Sequence, residues 1–265
     1  TKDIQYNSLN NKSKPPKKQS NQVKVTKLIG IFKNNHVSGY AKFIKKDGCF
    51  FNGELNNNIA NGYGIFCNSI GITFEGQWYN DSQHGYGIET NADGSYYKGD
   101  FDSGLKSGIG EYCWKDGSKF QGEWIANSMH GYGIYSTLEG KIYKGQFANS
   151  AMHGFGFQEI VKDEKYYIGY FEKDKKEGLG VFIWRKPHFK AYIGFWSNSK
   201  QNGLGKLISK KENEKLNEKY GYWKEGERIK WIKTYDETLS YIAYNKPYYS
   251  KIFSSNWNNM SFLQD

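Results

Sequence analysis

The sequence predicts an all-β protein: an elongated, twisted, single-layer antiparallel meander of stacked β-hairpins. Three observations predict it. The phrase aromatic-x-Gly-x-aromatic returns at a nearly constant interval of 23 residues. Gly-x-Gly follows eleven residues after the start of every full unit except the first, which has Gly39-Tyr40-Ala41, and short polar stretches separate the two motifs. Self-similarity at a fixed period of this length is the signature of a repeat architecture.

The first strand of each unit carries a ring, a glycine and a second large apolar residue at positions one, three and five. Side chains alternate along a strand, so these three positions share a face. A strand glycine often marks the close approach of another group, and we expect the ring to lie flat over the bare backbone there. The units start at Leu28, Phe51, Phe74, Tyr97, Phe120, Tyr143, Tyr167 and Tyr192, with a degenerate copy at Lys219. The residues predicted to carry this packing include Gly53, Gly76, Gly99, Gly122, Gly145 and Gly194, with Trp78, Trp124 and Trp196.

The two strands of a unit are joined by polar loops such as "YNDSQH" and "IANSMH", whose Asn and Ser residues favour turns. His-Gly closes the loop, as at Gly85 and Gly131, and we interpret it as part of the turn. Histidines recur in register at this position, so copies should lie about 10 Å apart, two strand spacings, which is too far to share one metal ion. The histidines therefore indicate repeated structure, not a metal site.

Successive units are joined by short turns such as Asp47-Gly48 and Asp93-Gly94. Glycine accepts positive φ without steric cost, which suits a tight turn. Short connections allow only antiparallel pairing of consecutive strands. At about 4.8 Å per strand, eight units should extend roughly 80 Å.

This pattern resembles the MORN (membrane occupation and recognition nexus) repeats, in which Tyr-x-Gly-x-Trp, a polar loop and His-Gly-x-Gly follow one another. The resemblance covers residues 28 to about 228 and implies stacked antiparallel hairpins in an elongated sheet. Members of the family serve as assembly platforms at membranes, the cell cortex and cilia, and some flank enzyme domains.

We predict three regions. Residues 1–27 form a basic arm with seven lysines against one aspartate, 28–228 form about eight repeats with a terminal half-repeat, and 229–265 form a C-terminal cap or a docking extension. The cap should be short and irregular or helical, because Thr234 or Asp236 could cap a helix. Such a cap would cover the unpaired edge of the last hairpin.

No residue pattern indicates catalysis, and neither a cofactor nor a metal is expected. The glycine pairs never complete a phosphate-binding motif, and the carboxylates form no pair for acid–base work. Of 37 basic residues only Arg185 and Arg228 are arginine, which argues against nucleic-acid binding. No small-molecule substrate is expected, and no apolar run approaches the length of a membrane-spanning helix.

The turns between later units lengthen at 162–166, 185–191 and 208–218, all along one edge of the ribbon. Position four of the unit, polar in most copies, becomes aromatic in the same region. We therefore predict that a protein partner docks on repeats five to seven, although surface loops also lengthen without a function. The candidate partner-binding residues are Tyr170, Phe195, Lys186, His188, Lys210 and Lys211.

The function predicted is a non-catalytic scaffold that joins proteins in a ciliary or axonemal assembly, such as a radial spoke, or in the cortical cytoskeleton of the cytoplasm. One alternative is a peripheral module that binds anionic lipids through the repeats and the basic arm. Another is the targeting segment of a larger enzyme, although only 37 residues follow residue 228, too few for a catalytic domain.

Overall fold

The computed structural model describes residues 25–211 and 215–232. Strands dominate this part of the chain, with one turn of 3-10 helix at Val161–Asp163. The strands are β1 (Val25–Ile29), β2 (Phe32–Lys33), β3 (His36–Val37), β4 (Gly39–Lys45), β5 (Phe50–Asn56), β6 (Ile59–Cys67), β7 (Thr73–Tyr79), β8 (Ser82–Thr90), β9 (Tyr96–Asp102), β10 (Leu105–Cys113), β11 (Lys119–Ile125), β12 (Ser128–Ser136), β13 (Lys141–Ala148), β14 (Ala151–Ile160), β15 (Lys165–Glu172), β16 (Lys175–Trp184), β17 (Phe189–Ser197), β18 (Lys200–Lys210), β19 (Asn217–Lys224) and β20 (Glu227–Ile232).

Eighteen of these strands form one open antiparallel sheet, which confirms the predicted fold class. Strand β1 pairs with β4, and each later strand pairs with its successor in the chain up to β20. Strands β2 and β3 form a separate small hairpin. None of the described elements is a helix long and apolar enough to span a membrane. The predicted C-terminal cap falls mostly on 233–265, outside the described residues.

One side of the sheet, the ring face, is a continuous ladder of aromatic side chains. The Tyr97 ring centroid lies 5.0 Å from that of Phe101 and 5.2 Å from that of Trp124, both edge to face. The same contact links successive units from Phe51 to Trp223. Tyr97 retains no exposed surface, so the rings bury one another without a second layer. Each such pair contributes about 0.5–1.5 kcal/mol beyond its buried area.

The glycines make room for these rings, as the sequence predicts. A Cβ on Gly145 would lie 2.6 Å from the Tyr143 hydroxyl and from the Cα of Gly156 on the next strand. A Cβ on Gly156 would lie 2.5 Å from the Tyr143 ring. The ring therefore lies flat across two strands. The same contacts occur at Gly53, Gly76, Gly99, Gly122 and Gly194.

The His-Gly pair lies in a strand bulge, so its assignment to the turn is wrong. Between β11 and β12 the pairing passes from Gly122–Gly133 to Glu123–His130, which leaves Gly131 and Tyr132 as extra residues. Gly131 has φ +57, and Gly85 has φ +58 at the equivalent place. A residue with a side chain would be strained in this conformation.

The bulge explains why position four is usually polar. The Tyr132 N–H donates to the Glu123 carboxylate at 2.8 Å, and the equivalent N–H of Phe155 donates to Gln146 at 3.0 Å. Gln77 and Asp100 accept the same bond in their own units. The polar side chain therefore satisfies a backbone donor that the bulge releases, a role that solvent exposure alone did not predict.

A second device joins each hairpin tip to the preceding unit, and we call it the tip clasp. The Asn127 N–H donates to the Lys106 carbonyl at 2.9 Å, and the Asn127 side-chain oxygen accepts from the Lys106 N–H at 2.8 Å. The same two-way pairing is made by Asn58, Asp81, Ser150, Asp174 and Ser199. Gly104 and Gly226 make only the backbone bond of the clasp. The loops are therefore rich in Asn, Asp and Ser partly because these residues join units.

The first unit departs from the pattern. Its strand breaks at Gly30, and the Leu28 and Phe32 side chains are exposed rather than placed in the ring ladder. Ala41 replaces the second glycine of Gly-x-Gly in this unit and is buried. An alanine fits there because no aromatic side chain of this unit must cross that backbone.

Candidate functional site

Basic side chains meet at one edge of the sheet, where two successive inter-unit turns lie together. The turn at 185–188 joins β16 to β17, and β18 brings Lys210 and Lys211 beside it, because Phe189 pairs with Lys210 across the two strands. Together they line an open concavity of about 360 Å³. The concavity is lined by Arg185, Pro187, His188, Phe189, Lys210 and Lys211. We use the name basic corner for Arg185, His188, Phe189, Lys210 and Lys211 together with the adjacent Lys186.

Three contacts hold the first turn of the basic corner in place. The Arg185 N–H donates to the Glu164 carbonyl at 3.2 Å, and the guanidinium lies 5.2 Å from the Tyr166 ring centroid. Lys186 forms an ion pair with the Glu164 carboxylate, which raises the pKa of Lys186. Lys186 therefore lies beside the concavity with part of its charge neutralised.

The other basic residues and Phe189 are exposed, so the corner presents positive charge around an accessible ring. Such a surface suits carboxylate or phosphate groups attached to an apolar segment. Sequence reasoning selected the lysines and His188 but missed Arg185 and Phe189. Their proximity depends on strand register, which the loop lengths alone do not reveal.

Tyr170 lies apart from the basic corner. It is 41% exposed and meets Phe155 edge to face, with 5.6 Å between ring centroids. It helps to line a separate shallow concavity of about 270 Å³ beside His153 and Glu177. The ring occupies position four, where other units place the polar acceptor of the bulge.

Phe195 is not an exposed contact residue, and that prediction is wrong. Only 3% of its surface is accessible. The sequence-based interpretation assumed that position four always faces solvent. Strand β17 is buried on both faces here, since Tyr192 and Trp196 on the ring face are buried and so is Leu179, the cross-strand neighbour of Phe195.

The ring face holds two lysines at equivalent positions in different electrostatic environments. Lys106 lies over the Tyr97 ring and forms a 2.5 Å ion pair with Glu89. Lys176 lies over Tyr167 and Phe182, and Gln158 occupies the position equivalent to Glu89. Burial lowers the pKa of Lys176 to about 8.

Charge is segregated along the ribbon. Residues 47–139 contain twelve Asp or Glu against four Lys, whereas 141–211 contain fourteen Lys or Arg against six Asp or Glu. The basic corner therefore lies in the positive half of the array. A negatively charged molecule that approaches it is attracted by the summed charge of this half and not by a single lysine or arginine. Within the described residues no group of three His, Cys, Asp or Glu side chains is placed to hold a metal ion.

Comparison with protein families matches this architecture. The MORN repeat model matches seven segments, which together cover more than half of the chain: residues 51–71, 74–96, 97–119, 120–137, 143–159, 167–186 and 192–213. The chain belongs to the MORN repeat family. MORN repeats are generally a non-catalytic module that mediates interactions with proteins or membrane lipids.

Other comparisons are less specific. No curated protein matches the chain. A solved structure of the SAS-4 (dCPAP) TCP domain in complex with a proline-rich motif of Ana2 (dSTIL) of Drosophila melanogaster is similar at 9% identity and TM-score 0.33. The matched region covers 72% of this chain and 95% of the TCP-domain chain. At this level the likeness carries no conclusion. The last two matched MORN segments include most of the basic corner.

Proposed function

We propose that this MORN repeat protein is a non-catalytic scaffold whose basic corner binds an acidic segment of a partner protein. The observation that carries the proposal is the convergence of Arg185, His188, Lys210 and Lys211 around the exposed Phe189 ring. These residues come from two consecutive units, so an intact stack of hairpins is needed to assemble them. An extended platform of this kind suits a ciliary, axonemal or cortical cytoskeletal assembly in the cytoplasm, and the family resemblance alone supports that setting.

The chemistry of the corner favours an acidic protein segment with an apolar side chain. The lysine ammonium groups supply charge without the fixed fork geometry that reads a particular base or phosphate, and the Arg185 guanidinium lies against the Tyr166 ring. Phe189 supplies an apolar contact between them. Contacts of exposed charges mainly raise the association rate and weaken at high salt. We therefore expect binding to be strongly salt-dependent.

The experiment compares two charge reversals of equal size. Lys210→Glu/Lys211→Glu changes the basic corner, whereas Lys144→Glu/Lys200→Glu changes exposed lysines elsewhere on the positive half. Affinity capture from the native cell, read by quantitative mass spectrometry, should lose the salt-sensitive partners only with the first variant. Equal recovery with both variants would contradict the proposal.

A membrane surface is the second candidate, because the same positive half could approach anionic lipids. Flotation with vesicles containing phosphatidylserine separates the two functions. Partner loss without a change in flotation supports protein binding. Loss of flotation by the corner variant, with the captured proteins unchanged, would instead favour membrane binding.

A further inference from the structure

The face of the sheet opposite the rings, here called the second face, carries its own row of exposed side chains. They occupy the central position of Gly-x-Gly in the first six units, where each is more than 40% exposed, whereas Leu179 at the same position of the next unit is buried. We call this row the exposed stripe, and it comprises Tyr40, Tyr63, Tyr86, Ile109, Tyr132 and Phe155. Two strand spacings separate neighbours, so the stripe has a step of about 10 Å.

Acidic side chains accompany the stripe on the same face. They occupy positions two and four of the first strand and one place on the second. Between Tyr63 and Tyr132 the lysines beside them are Lys98 and Lys119, and Lys42 and Lys144 lie on the same face toward the two ends of the stripe. The acidic residues are Glu54, Glu75, Asp100, Glu111 and Glu123. The Tyr63 hydroxyl donates to Glu75 at 2.6 Å, so at this point ring and carboxylate form one surface.

This surface suits a lysine-rich segment that also contains proline. An ammonium group can pair with the carboxylates and lie over a tyrosine ring, and both interactions favour a cation. Proline-rich segments adopt an extended conformation and dock in grooves lined by aromatic rings. The stripe therefore selects an occupant by charge and by shape.

We propose that residues 12–18 of the same chain, Lys-Ser-Lys-Pro-Pro-Lys-Lys, bind the exposed stripe. The segment lies outside the described residues, and the chain enters the sheet at Val25, beside the first unit. It combines four lysines with two prolines in seven residues. Its charge complements the acidic units rather than the positive half that holds the basic corner.

The reach of the chain agrees with this pairing. Residues 12–18 precede Val25 by 7 to 13 residues, and an extended chain of that length spans about 24–45 Å. Tyr63 lies on the third strand from β1 and Tyr132 on the ninth, which is about 14–43 Å along the ribbon. The chain is therefore long enough for the lysines to reach the stripe between these two rings.

The proposal adds an intramolecular occupant to the second face and does not depend on the function of the basic corner. A bound arm would neutralise part of the acidic half of the ribbon.

The test uses the full chain and two readouts. Zero-length carbodiimide cross-linking at low salt, with isotope-labelled and unlabelled chains mixed, should join lysines of residues 12–18 to Glu75 or Glu123 within one chain. Nitration then reports ring exposure. Reversing the charge of Lys12, Lys14, Lys17 and Lys18 to Glu should raise nitration of Tyr63, Tyr86 and Tyr132 at least threefold. Tyr79, exposed at a hairpin tip, is the internal control and should not change.

A second variant keeps the fold and changes only the face. Glu54→Gln/Glu75→Gln/Glu123→Gln removes three charges while retaining hydrogen-bond acceptors, since Gln77 and Gln146 already accept the bulge N–H. It should raise nitration of the stripe to the same extent as the arm variant. Cross-links found only between labelled and unlabelled chains would assign the stripe to a second copy. That result, or nitration unchanged in both variants, would overturn the proposal.

Discussion

Replacing Asn127 by glycine removes one tip clasp and leaves the backbone path intact. Asn127 has φ +70, a conformation that glycine adopts readily, and the clasp position is already glycine at Gly104 with φ +81. The substitution deletes the acceptor for the Lys106 N–H, which is 2.8 Å away. Alanine would be a poorer choice because it keeps a Cβ at this positive φ without the polar side chain that helps asparagine to adopt it.

The expected loss comes from the hydrogen bond. A net intramolecular hydrogen bond contributes about 0.5–1.5 kcal/mol, while the larger conformational entropy of glycine in the unfolded chain is offset by the strain that glycine releases at this positive φ. Asn127→Gly should therefore lower the free energy of unfolding by about 0.5–1.5 kcal/mol. Asn127→Asp is the matched control, because Asp81 and Asp174 make the same bond, and it should lose less than about 0.5 kcal/mol.

The converse substitution tests the reasoning in the other direction. A Cβ on Gly104 would meet no atom within 4 Å, so Gly104→Asn can offer an acceptor to the Gln83 N–H without a clash. It should stabilise the protein by about 0.5–1.5 kcal/mol. Urea denaturation followed by tryptophan fluorescence measures all three variants. If Asn127→Asp and Asn127→Gly lower the free energy of unfolding equally, or Gly104→Asn lowers the midpoint, the clasp does not join the units in this way.

Three further predictions concern the ring face and the tips. Because the pKa of Lys176 is depressed in the folded protein, the unfolded chain binds more protons, and the free energy of unfolding should rise between pH 8 and about 10.5. Gln158→Glu would place a carboxylate beside Lys176 and should remove this pH dependence, which thermal melts across the range would measure. Gly87→Ala should lower the free energy of unfolding by more than about 2 kcal/mol, because the added Cβ would lie 2.5 Å from the Phe74 ring. In a double-mutant cycle the same substitution should cost less when Phe74 is replaced by Leu. Burial raises the pKa of Asp174, so the ionised carboxylate destabilises the folded protein above its folded pKa. Asp174→Asn should therefore raise the melting temperature at pH 7. An unchanged melting temperature would show that burial of this charge does not destabilise the protein.

The ring ladder could be predicted from the sequence because the residues that recur in every unit are the same residues that pack against one another. Positions one, three and five return together, and strand alternation places them on one face. The tip clasp could not be predicted in the same way. Asn127 and its equivalents are also ordinary turn residues, and their bonding partners lie 21 to 23 residues earlier in the chain.

The candidate site was predicted only in part, for a similar reason. Loop length indicated Lys210 and His188, but the pairing of β17 with β18 decides that Arg185 and Phe189 join them. Strand alternation predicted an exposed Phe195, and it fails because β17 is buried on both faces. The alternation of side chains along a strand predicts the face on which a side chain lies, but it does not predict which residues of the neighbouring strands cover that face.

An open ribbon assigns stability and binding to different surfaces. The ring face is filled by its own side chains, so a substitution there alters edge-to-face ring contacts. Side chains on the second face and the two edges can change without altering the ladder. Because each unit contacts only its neighbours, a surface assembled from two units depends on the interface between them. Loss of the clasp that joins the two units of the basic corner, as in Ser199→Gly, should weaken partner binding in proportion to local opening, although this clasp lies at the opposite edge of the ribbon. Asn58→Gly in the first units should leave partner binding unchanged.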